Sequence, residues 1–128
     1  MSNKVVEGLY YSQSDEWLKV EKDVATIGIS DYAQDQLGDI VYIEEIKIGK
    51  SVQKGDVLTT VESVKAVSDV YTPIGGEIVE VNQSLMENPA TINKDPYESG
   101  WIAKIKMSKP EEINDLMNAA DYAQFRKE

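Results

Sequence analysis

Short stretches in which apolar and polar residues alternate run through most of the chain. Alternation with a period of two is typical of β-strands that bury one face, and strand-forming valine, isoleucine, threonine and tyrosine are frequent here. Turn-forming residues separate the stretches at intervals of about 8–12 residues. The pattern predicts strands at residues 9–11, 16–21, 24–29, 39–45, 56–61, 67–72, 77–82 and 101–107. This spacing indicates a small, mainly β domain, built as a sandwich or a flattened barrel.

Two of the predicted strands allow individual side chains to be assigned to faces. In the strand at 39–45, the alternation places Ile40 and Tyr42 on one face and Val41 and Ile43 on the other. In the last strand, the residues expected to share one face are Trp101, Ala103, Ile105 and Met107. Residues 84–93 are expected to form a loop or a short helical turn.

A short helix is predicted at residues 30–38, before the middle strands. Ser30 is a favourable N-cap residue, Asp31 complements the positive end of the helix dipole, and Gly38 fits the position after the last turn. We expect a surface helix that covers one end of the sheets.

A second helical pattern follows the last strand. Ser108 and Glu111 have the spacing of a capping box, and the apolar residues at helical spacing are Ile113, Leu116, Met117 and Ala120. The pattern predicts an amphipathic C-terminal helical segment at about 109–127, with a further short turn of helix starting near Asp121. We therefore expect one domain over residues 1–128, with its core at about 9–107.

Lys65 stands at the predicted tip of a β-hairpin, between the strands at 56–61 and 67–72. The tight turn is unusual, because two-residue hairpin turns favour Asn-Gly or Asp-Gly, whose residues adopt positive φ, and Val64-Lys65 is not such a pair. One interpretation is a plain hairpin with a solvated lysine. The other is a lysine that is displayed for chemistry.

Composition narrows the possible chemistry. The chain has no cysteine and no histidine, which excludes Ser-His and Cys-His nucleophile pairs and metal sites built on those ligands. Paired-carboxylate catalysis needs a substrate cleft, for which so short a chain of small strands offers little room. We therefore expect a binding or carrier module with no catalytic residues and no metal.

The net charge of −10 arises from 23 acidic and 13 basic residues. Such a surface repels phosphate backbones, so nucleic acid is not an expected partner. Basic patches on other proteins would attract this acidic surface. Solubility alone is a sufficient alternative reason for the acidity.

No apolar run approaches the length of a membrane span, and the N-terminus lacks the character of a signal or transit peptide. These features predict a cytoplasmic protein without a membrane partner.

Several motifs resemble the glycine cleavage system H-protein family. The residues around Lys65, 61–69, resemble its lipoate-attachment hairpin, and the further segments that resemble the family, in the same order, are 29–34, 37–42, 76–82 and 93–101. The resemblance extends from about Leu9 to about Tyr122. It departs from the family at Asp15, where histidine is frequent, and near Ile46, where proline is frequent.

The resemblance implies a lipoyl-type β-sandwich or flattened, hammerhead-like barrel with both helices, and lipoic acid joined by an amide to Lys65. The neighbouring residues implied to form the recognition hairpin are Glu62, Ser63, Val64 and Ala66. The lipoyl arm would carry an aminomethyl group from a pyridoxal-phosphate glycine decarboxylase to a tetrahydrofolate-dependent aminomethyltransferase, and electrons to dihydrolipoamide dehydrogenase. A lipoate ligase or lipoyltransferase would load it. The location would be the bacterial cytoplasm, or the mitochondrial matrix for a processed eukaryotic chain.

Glu16 and Asp69 are expected to dock the loaded arm, because a carried amine is a cation near neutral pH and a carboxylate at a partly dry surface attracts it. The alternative interpretation is that both residues are ordinary surface acids with no role in docking.

Three other interpretations stay open. In the first, the chain is a lipoyl carrier used only for lipoate relay. In the second it is a biotin carrier, and in the third it is an unmodified acidic β-domain that binds a protein through the Lys65 hairpin. Val64 and Ala66 weigh against biotin, whose attachment lysine usually lies between methionines.

Overall fold

The computed structural model describes residues 3–127, which form nine strands, four α-helices and one 3-10 helix. The strands are β1 (Tyr10–Tyr11), β2 (Glu16–Glu21), β3 (Val24–Ile29), β4 (Ile40–Ile43), β5 (Ser51–Val52), β6 (Val57–Ser63), β7 (Val67–Tyr71), β8 (Gly76–Val81) and β9 (Ala103–Met107). The helices are α1 (Asp31–Leu37), α2 (Gln83–Glu87), α3 (Thr91–Lys94) and α4 (Ala119–Phe125), and the 3-10 helix spans Pro110–Asp115.

The strands lie in two antiparallel sheets, which confirms a mainly β fold of the sandwich kind. The larger sheet has the order β1-β2-β3-β9-β8-β5 and the smaller has the order β4-β6-β7. Inward-facing aliphatic residues from both sheets form one apolar core, to which β6 contributes Val61 and β9 contributes Ile105. Both side chains are fully buried. The smaller sheet contains the β6–β7 hairpin, so the core fixes the base of that hairpin.

The face assignment was confirmed in one strand and was wrong in the other. In β9 the side chains of Ala103, Ile105 and Met107 are buried, as alternation predicts. Trp101, expected on the same face, precedes the strand and packs half-buried against the cluster of Leu9, Tyr11, Trp17 and Tyr122 instead. In β4, Ile40 and Ile43 are buried while Val41 and Tyr42 are both exposed. The pairing of β4 with β6 shifts register between Ile40 and Tyr42, and such an irregularity interrupts the two-residue period.

Helix α1 begins and ends where the sequence predicts. The Ser30 hydroxyl accepts a hydrogen bond from the Ala33 backbone N–H at 3.2 Å, and Gly38 ends the helix with φ of 80°. Residues 84–93 also agree with expectation, because α2 and α3 are both short.

The prediction of a helix starting at Ser108 was wrong. Pro110 starts a 3-10 helix, and no side chain caps its N-terminus. The chain then becomes extended at Leu116, and Met117 exchanges two backbone hydrogen bonds of 2.8 Å with Tyr11. This pairing with β1 satisfies backbone groups that a continuous helix would have used internally. The C-terminal helix exists, but it begins at Ala119 with Asn118 as its N-cap.

A second apolar cluster joins the two ends of the chain. Tyr11 stacks on Tyr122 of α4 with ring centroids 4.3 Å apart, and Trp17 donates its indole N–H to the Pro96 carbonyl at 3.0 Å. The core of this cluster is Leu9, Tyr11, Trp17 and Tyr122. Within residues 3–127, no helix has both the length and the apolar character needed to cross a bilayer.

Candidate functional site

Lys65 is exposed and lies in the three-residue turn, 64–66, that connects β6 to β7. The turn is closed by the Ser63 N–H, which donates to the Ala66 carbonyl at 2.8 Å. The Ser63 hydroxyl accepts hydrogen bonds from the backbone N–H groups of Lys65, at 3.3 Å, and Ala66, at 3.0 Å. One serine side chain therefore fixes the backbone on which the lysine stands.

The serine explains how an unusual sequence makes a tight turn. Among residues 3–127, the non-glycine residues with positive φ are Asp15 and Lys22, so Val64 and Lys65 do not adopt the conformation that Asn-Gly turns use. A hydroxyl that binds backbone N–H groups two and three residues ahead forms an ST-turn. Sequence reasoning assigned Ser63 to recognition and missed this role, although the hydroxyl directly before the turn indicates it.

The turn is also held from the side by the end of α1. The Val64 N–H donates to the Asp39 carbonyl at 3.0 Å. The stem of Lys65 passes beside Gly38, because a Cβ built on that glycine would lie 3.4 Å from Lys65 Cε. Asn93 fixes this corner, since its side chain donates to the Gly38 carbonyl at 2.9 Å and accepts from the Ile40 N–H at 2.9 Å. Sequence reasoning did not identify Asn93.

Apolar side chains surround the exposed lysine. Val64 is 71 % exposed and Val67 is 67 % exposed, unusually high values for valine. Ala66 is exposed as well, and Glu62 is half-buried on the preceding strand. The ion pairs found in residues 3–127 involve Lys54, Lys104 and Arg126, which leaves the Lys65 ammonium without a carboxylate partner in that range.

Glu16 is buried rather than displayed, with 2 % of its surface exposed. One carboxylate oxygen accepts hydrogen bonds from the Ser12 hydroxyl at 2.5 Å and the Ser14 hydroxyl at 2.6 Å. The other accepts the Tyr71 backbone N–H at 3.1 Å. Burial raises the pKa of Glu16 above its ordinary value, and these hydrogen bonds oppose the rise only in part.

The Glu16 carboxylate connects the two sheets, because Glu16 belongs to β2 of the larger sheet and Tyr71 to β7 of the smaller. It borders a cavity of about 250 Å³, and the other polar side chains on the wall include Ser12, Ser14, Lys54 and Asp115. Lys54 and Asp115 form an ion pair of 2.6 Å. A buried carboxylate that borders a cavity is a place where a cation can bind.

Asp69 occupies a different environment. It is exposed on β7 and accepts a hydrogen bond of 3.1 Å from the hydroxyl of Thr60, its partner across the hairpin. Asp69 and Tyr71 are two residues apart on one strand and therefore share a face. The strand leads from the lysine turn past Asp69 to Tyr71, the residue that binds Glu16.

Comparison with known proteins identifies the family to which the chain belongs. The family model "Glycine cleavage H-protein" matches residues 9–128. The chain belongs to the glycine cleavage H-protein family. Proteins of this family are lipoyl carriers. The confirmed part of the sequence-based prediction is therefore the family and its carrier class.

Individual H proteins match almost the whole chain. A probable glycine cleavage system H protein of Pyrococcus furiosus is 53 % identical over 126 residues, covering 97 % of this chain and 93 % of that protein. The H protein of Thermoanaerobacter pseudethanolicus is 50 % identical over 125 residues, which is 98 % of each chain. The crystal structure of the H protein from Mycobacterium marinum superposes with a TM-score of 0.89 at 31 % identity, over 97 % of this chain and 100 % of that one.

Asp15, where the chain departs from the H-protein pattern, contacts the C-terminal segment through its side chain. The Asp15 carboxylate pairs with Arg126, and it also accepts the Tyr122 hydroxyl at 2.8 Å. Its contacts are therefore to the C-terminal helix. They lie outside the Lys65 turn.

Proposed function

We propose that this chain carries lipoic acid on Lys65 and works as the carrier of a glycine cleavage system. The observation that supports this most is the exposed Lys65 in a turn fixed by Ser63, within a chain of the H-protein family. A ligase needs an accessible amine, and a fixed backbone presents that amine in one orientation. We propose that the hairpin it reads consists of Glu62, Ser63, Val64 and Ala66.

The surroundings of Lys65 suit such a group. Within residues 3–127 the Lys65 ammonium has no carboxylate partner, and the lysine stem lies beside a glycine. Its exposed valine neighbours match the hydrocarbon of an eight-carbon acid. When attached, lipoate supplies the sulfur redox and group-transfer chemistry that a chain without cysteine lacks. The chain's own task is to display the arm and to shelter it. It needs no catalytic residue for that task.

The proposed partners are the enzymes of glycine cleavage. They are a pyridoxal-phosphate glycine decarboxylase, a tetrahydrofolate-dependent aminomethyltransferase and dihydrolipoamide dehydrogenase, with a lipoate ligase or lipoyltransferase for loading. The carrier would take an aminomethyl group from the first to the second and electrons to the third. We propose that it acts in the cytoplasm as one domain, without nucleic acid or a membrane as a partner.

The decisive experiment is loading by a purified lipoate ligase, followed by intact mass measurement. The natural chain should gain one lipoyl group and Lys65→Arg should gain none, because arginine keeps the charge but cannot form the amide. Lys50→Arg is the matched control, since Lys50 is also exposed, and it should load normally. Loading of Lys65→Arg would place the modification elsewhere.

A second assay separates glycine cleavage from lipoate relay alone. The loaded chain should support glycine-dependent release of carbon dioxide by a purified glycine decarboxylase. A chain that loads, passes lipoate to other enzymes and fails in this assay would be a relay carrier.

We further propose that Glu16 and Asp69 dock the loaded arm. The buried Glu16 carboxylate at its cavity would receive the cationic end of the carried group, and exposed Asp69 would attract it along β7. Burial makes the Glu16 interaction stronger than an exposed charge pair of under ~1 kcal/mol.

The docking proposal predicts that sheltering depends on these carboxylates. Glu16→Gln should speed release of the carried amine to water by about tenfold or more, corresponding to roughly 1.4 kcal/mol of lost interaction. Asp69→Asn should have a smaller effect, and added salt should speed release from the natural chain more than from the variants. Release followed by ammonia detection gives the rates. Equal rates in all three proteins would contradict the proposal.

A further inference from the structure

Asp15, between Ser14 and Glu16, adopts a backbone conformation that is uncommon for a residue with a side chain. Its φ is 74°, in the left-handed region. Its N–H donates to the Ser12 carbonyl at 3.2 Å, and its own carbonyl accepts the Ser30 N–H at 2.9 Å. A residue in this region persists only where its surroundings hold it.

The side chain of Asp15 is held by the C-terminal helix. Arg126 donates from Nε to Asp15 Oδ1 at 2.8 Å and from Nη2 to Oδ2 at 2.8 Å, which is a bidentate pair. The Tyr122 hydroxyl donates to Oδ1 at 2.8 Å. Only 27 % of the Arg126 side chain and 16 % of the Asp15 side chain are exposed. This pair is therefore less screened by solvent than a surface ion pair.

The same helix contacts the other end of the loop that carries the two serines. Tyr122 stacks on Tyr11, the residue before Ser12, with an interplanar angle of 5°. Met117 pairs with the Tyr11 backbone. The C-terminal segment therefore holds the loop at two points, Tyr11 and Asp15. The serine hydroxyls that bind the Glu16 carboxylate belong to the same loop.

We propose that Arg126 and Tyr122 are positioning residues for the Glu16 carboxylate. By holding Asp15 in its left-handed conformation, they keep Ser12 and Ser14 directed at one carboxylate oxygen and leave the other oxygen on Tyr71. The functional part of this inference rests on the proposed role of Glu16 in docking. The positional part does not depend on any attached group.

Hydrogen exchange of two adjacent amides in the unmodified full chain tests the positional part. The Tyr71 N–H donates to Glu16 in the other sheet, whereas the Thr72 N–H donates to the Asp56 carbonyl at the base of its own hairpin. Arg126→Gln should speed Tyr71 exchange by about tenfold relative to Thr72. The control Lys127→Gln removes the same charge at the next, exposed position and should change neither amide.

The pKa of Glu16, followed by carboxyl carbon NMR, separates positioning from simple electrostatics. Loosening of residues 12–16 admits water to the carboxylate and also weakens the Ser12 and Ser14 hydrogen bonds. Because burial raises the Glu16 pKa by more than these hydrogen bonds lower it, Arg126→Gln should move that pKa down toward its ordinary value. An intact loop with an unpaired Asp15 charge beside Glu16 would move it up. A rise, or unchanged Tyr71 exchange, would overturn the inference.

Tyr122→Phe covers the case in which Arg126→Gln detaches α4 and speeds both amides equally. It removes the hydroxyl bound to Asp15 and keeps the ring on Tyr11. Faster Tyr71 exchange with unchanged Thr72 exchange supports the inference, and unchanged exchange of both overturns it.

In the loaded protein, Arg126→Gln and Glu16→Gln should speed amine release by a similar factor, with no further increase in the double variant. If Glu16→Gln has no effect on release while Tyr71 exchange still responds to Arg126→Gln, docking fails and positioning stands. Additive effects of the two variants on release would contradict a shared role.

Discussion

Ser63 shows at the scale of one residue how a side chain can substitute for special backbone geometry. Its hydroxyl accepts two N–H groups, from Lys65 and Ala66, which otherwise would face water or each other in a turn without positive φ. The residue is nearly buried, at 9 % exposure, so water does not readily replace the hydroxyl. The orientation of Lys65 therefore depends on Ser63, two residues before it in the chain.

Ser63→Ala should lower the free energy of unfolding by about 1–2 kcal/mol, because two N–H groups lose their acceptor. It should also slow lipoylation, since the turn becomes less ordered before the ligase binds. Urea unfolding and a ligase time course measure the two effects. Ser68→Ala is the control: that hydroxyl makes only an exposed contact of 3.5 Å to the Asp69 carbonyl. Equal stability and loading rates for both variants would contradict the assigned role of Ser63.

The environment of Glu16 could not be predicted from the sequence. Alternation placed it at the start of a strand, and its charge favoured the surface. Its burial results from Tyr71, 55 residues away, and from two serines that a turn brings to the same oxygen. The local pattern of polar and apolar residues cannot predict a contact between residues in two different sheets.

At the scale of elements, α1 ends against the lysine turn. Gly38 ends the helix with φ of 80° and ψ of −161°, a region that glycine alone occupies easily. A Cβ at this position would lie in ordinary van der Waals contact with the stem of Lys65. One glycine thus serves both the end of a helix and the neighbouring hairpin.

Gly38→Ala should lower the free energy of unfolding by roughly 1–3 kcal/mol through backbone strain. It should also slow lipoylation, because its Cβ would contact the Lys65 stem and restrict the movement of that side chain. Gly49→Ala is the matched control. Gly49 also has positive φ, at 93°, but a Cβ there meets no atom within 4 Å. Both variants should lose stability in thermal unfolding, and only Gly38→Ala should load more slowly. Equal loading of both would show that contact with the stem is unimportant.

Predictions for elements were accurate where local chemistry decides the structure. The N-cap at Ser30 and the ending at Gly38 were predictable because both act within one helical turn. The helix proposed at Ser108 failed because Met117 pairs with Tyr11, more than a hundred residues earlier in the chain. A capping pattern cannot reveal that a distant strand competes for the same backbone.

At the scale of the whole molecule, the Glu16 carboxylate joins the two sheets and makes stability depend on pH. Its pKa is raised in the folded chain by burial, so the folded state holds this proton more tightly than the unfolded state does. The resulting stabilisation is fully present below the ordinary glutamate pKa, near 4.5. It is lost as pH rises through the higher folded pKa.

Glu16→Gln should therefore flatten the pH dependence of stability above the ordinary glutamate range. The free energy of unfolding of the natural chain, minus that of the variant, should fall as pH rises above the ordinary glutamate pKa of 4.5, because glutamine is neutral throughout. Urea unfolding at several pH values measures this difference. Asp69→Asn, at an exposed position, is the control. A difference that does not change with pH would mean that the Glu16 pKa is not raised.

The turn fixed by Ser63 would also set the reach of a group attached to Lys65. A lysine with an eight-carbon acid extends beyond ~10 Å from a backbone that the Ser63 hydroxyl holds by two hydrogen bonds. A short tether of this kind confines its end to a small volume, equivalent to a local concentration in the millimolar range. An enzyme whose reacting atoms lie deeper than that radius must admit the turn itself. Its entrance must then be wide enough for residues 64–66, whatever reaction takes place below.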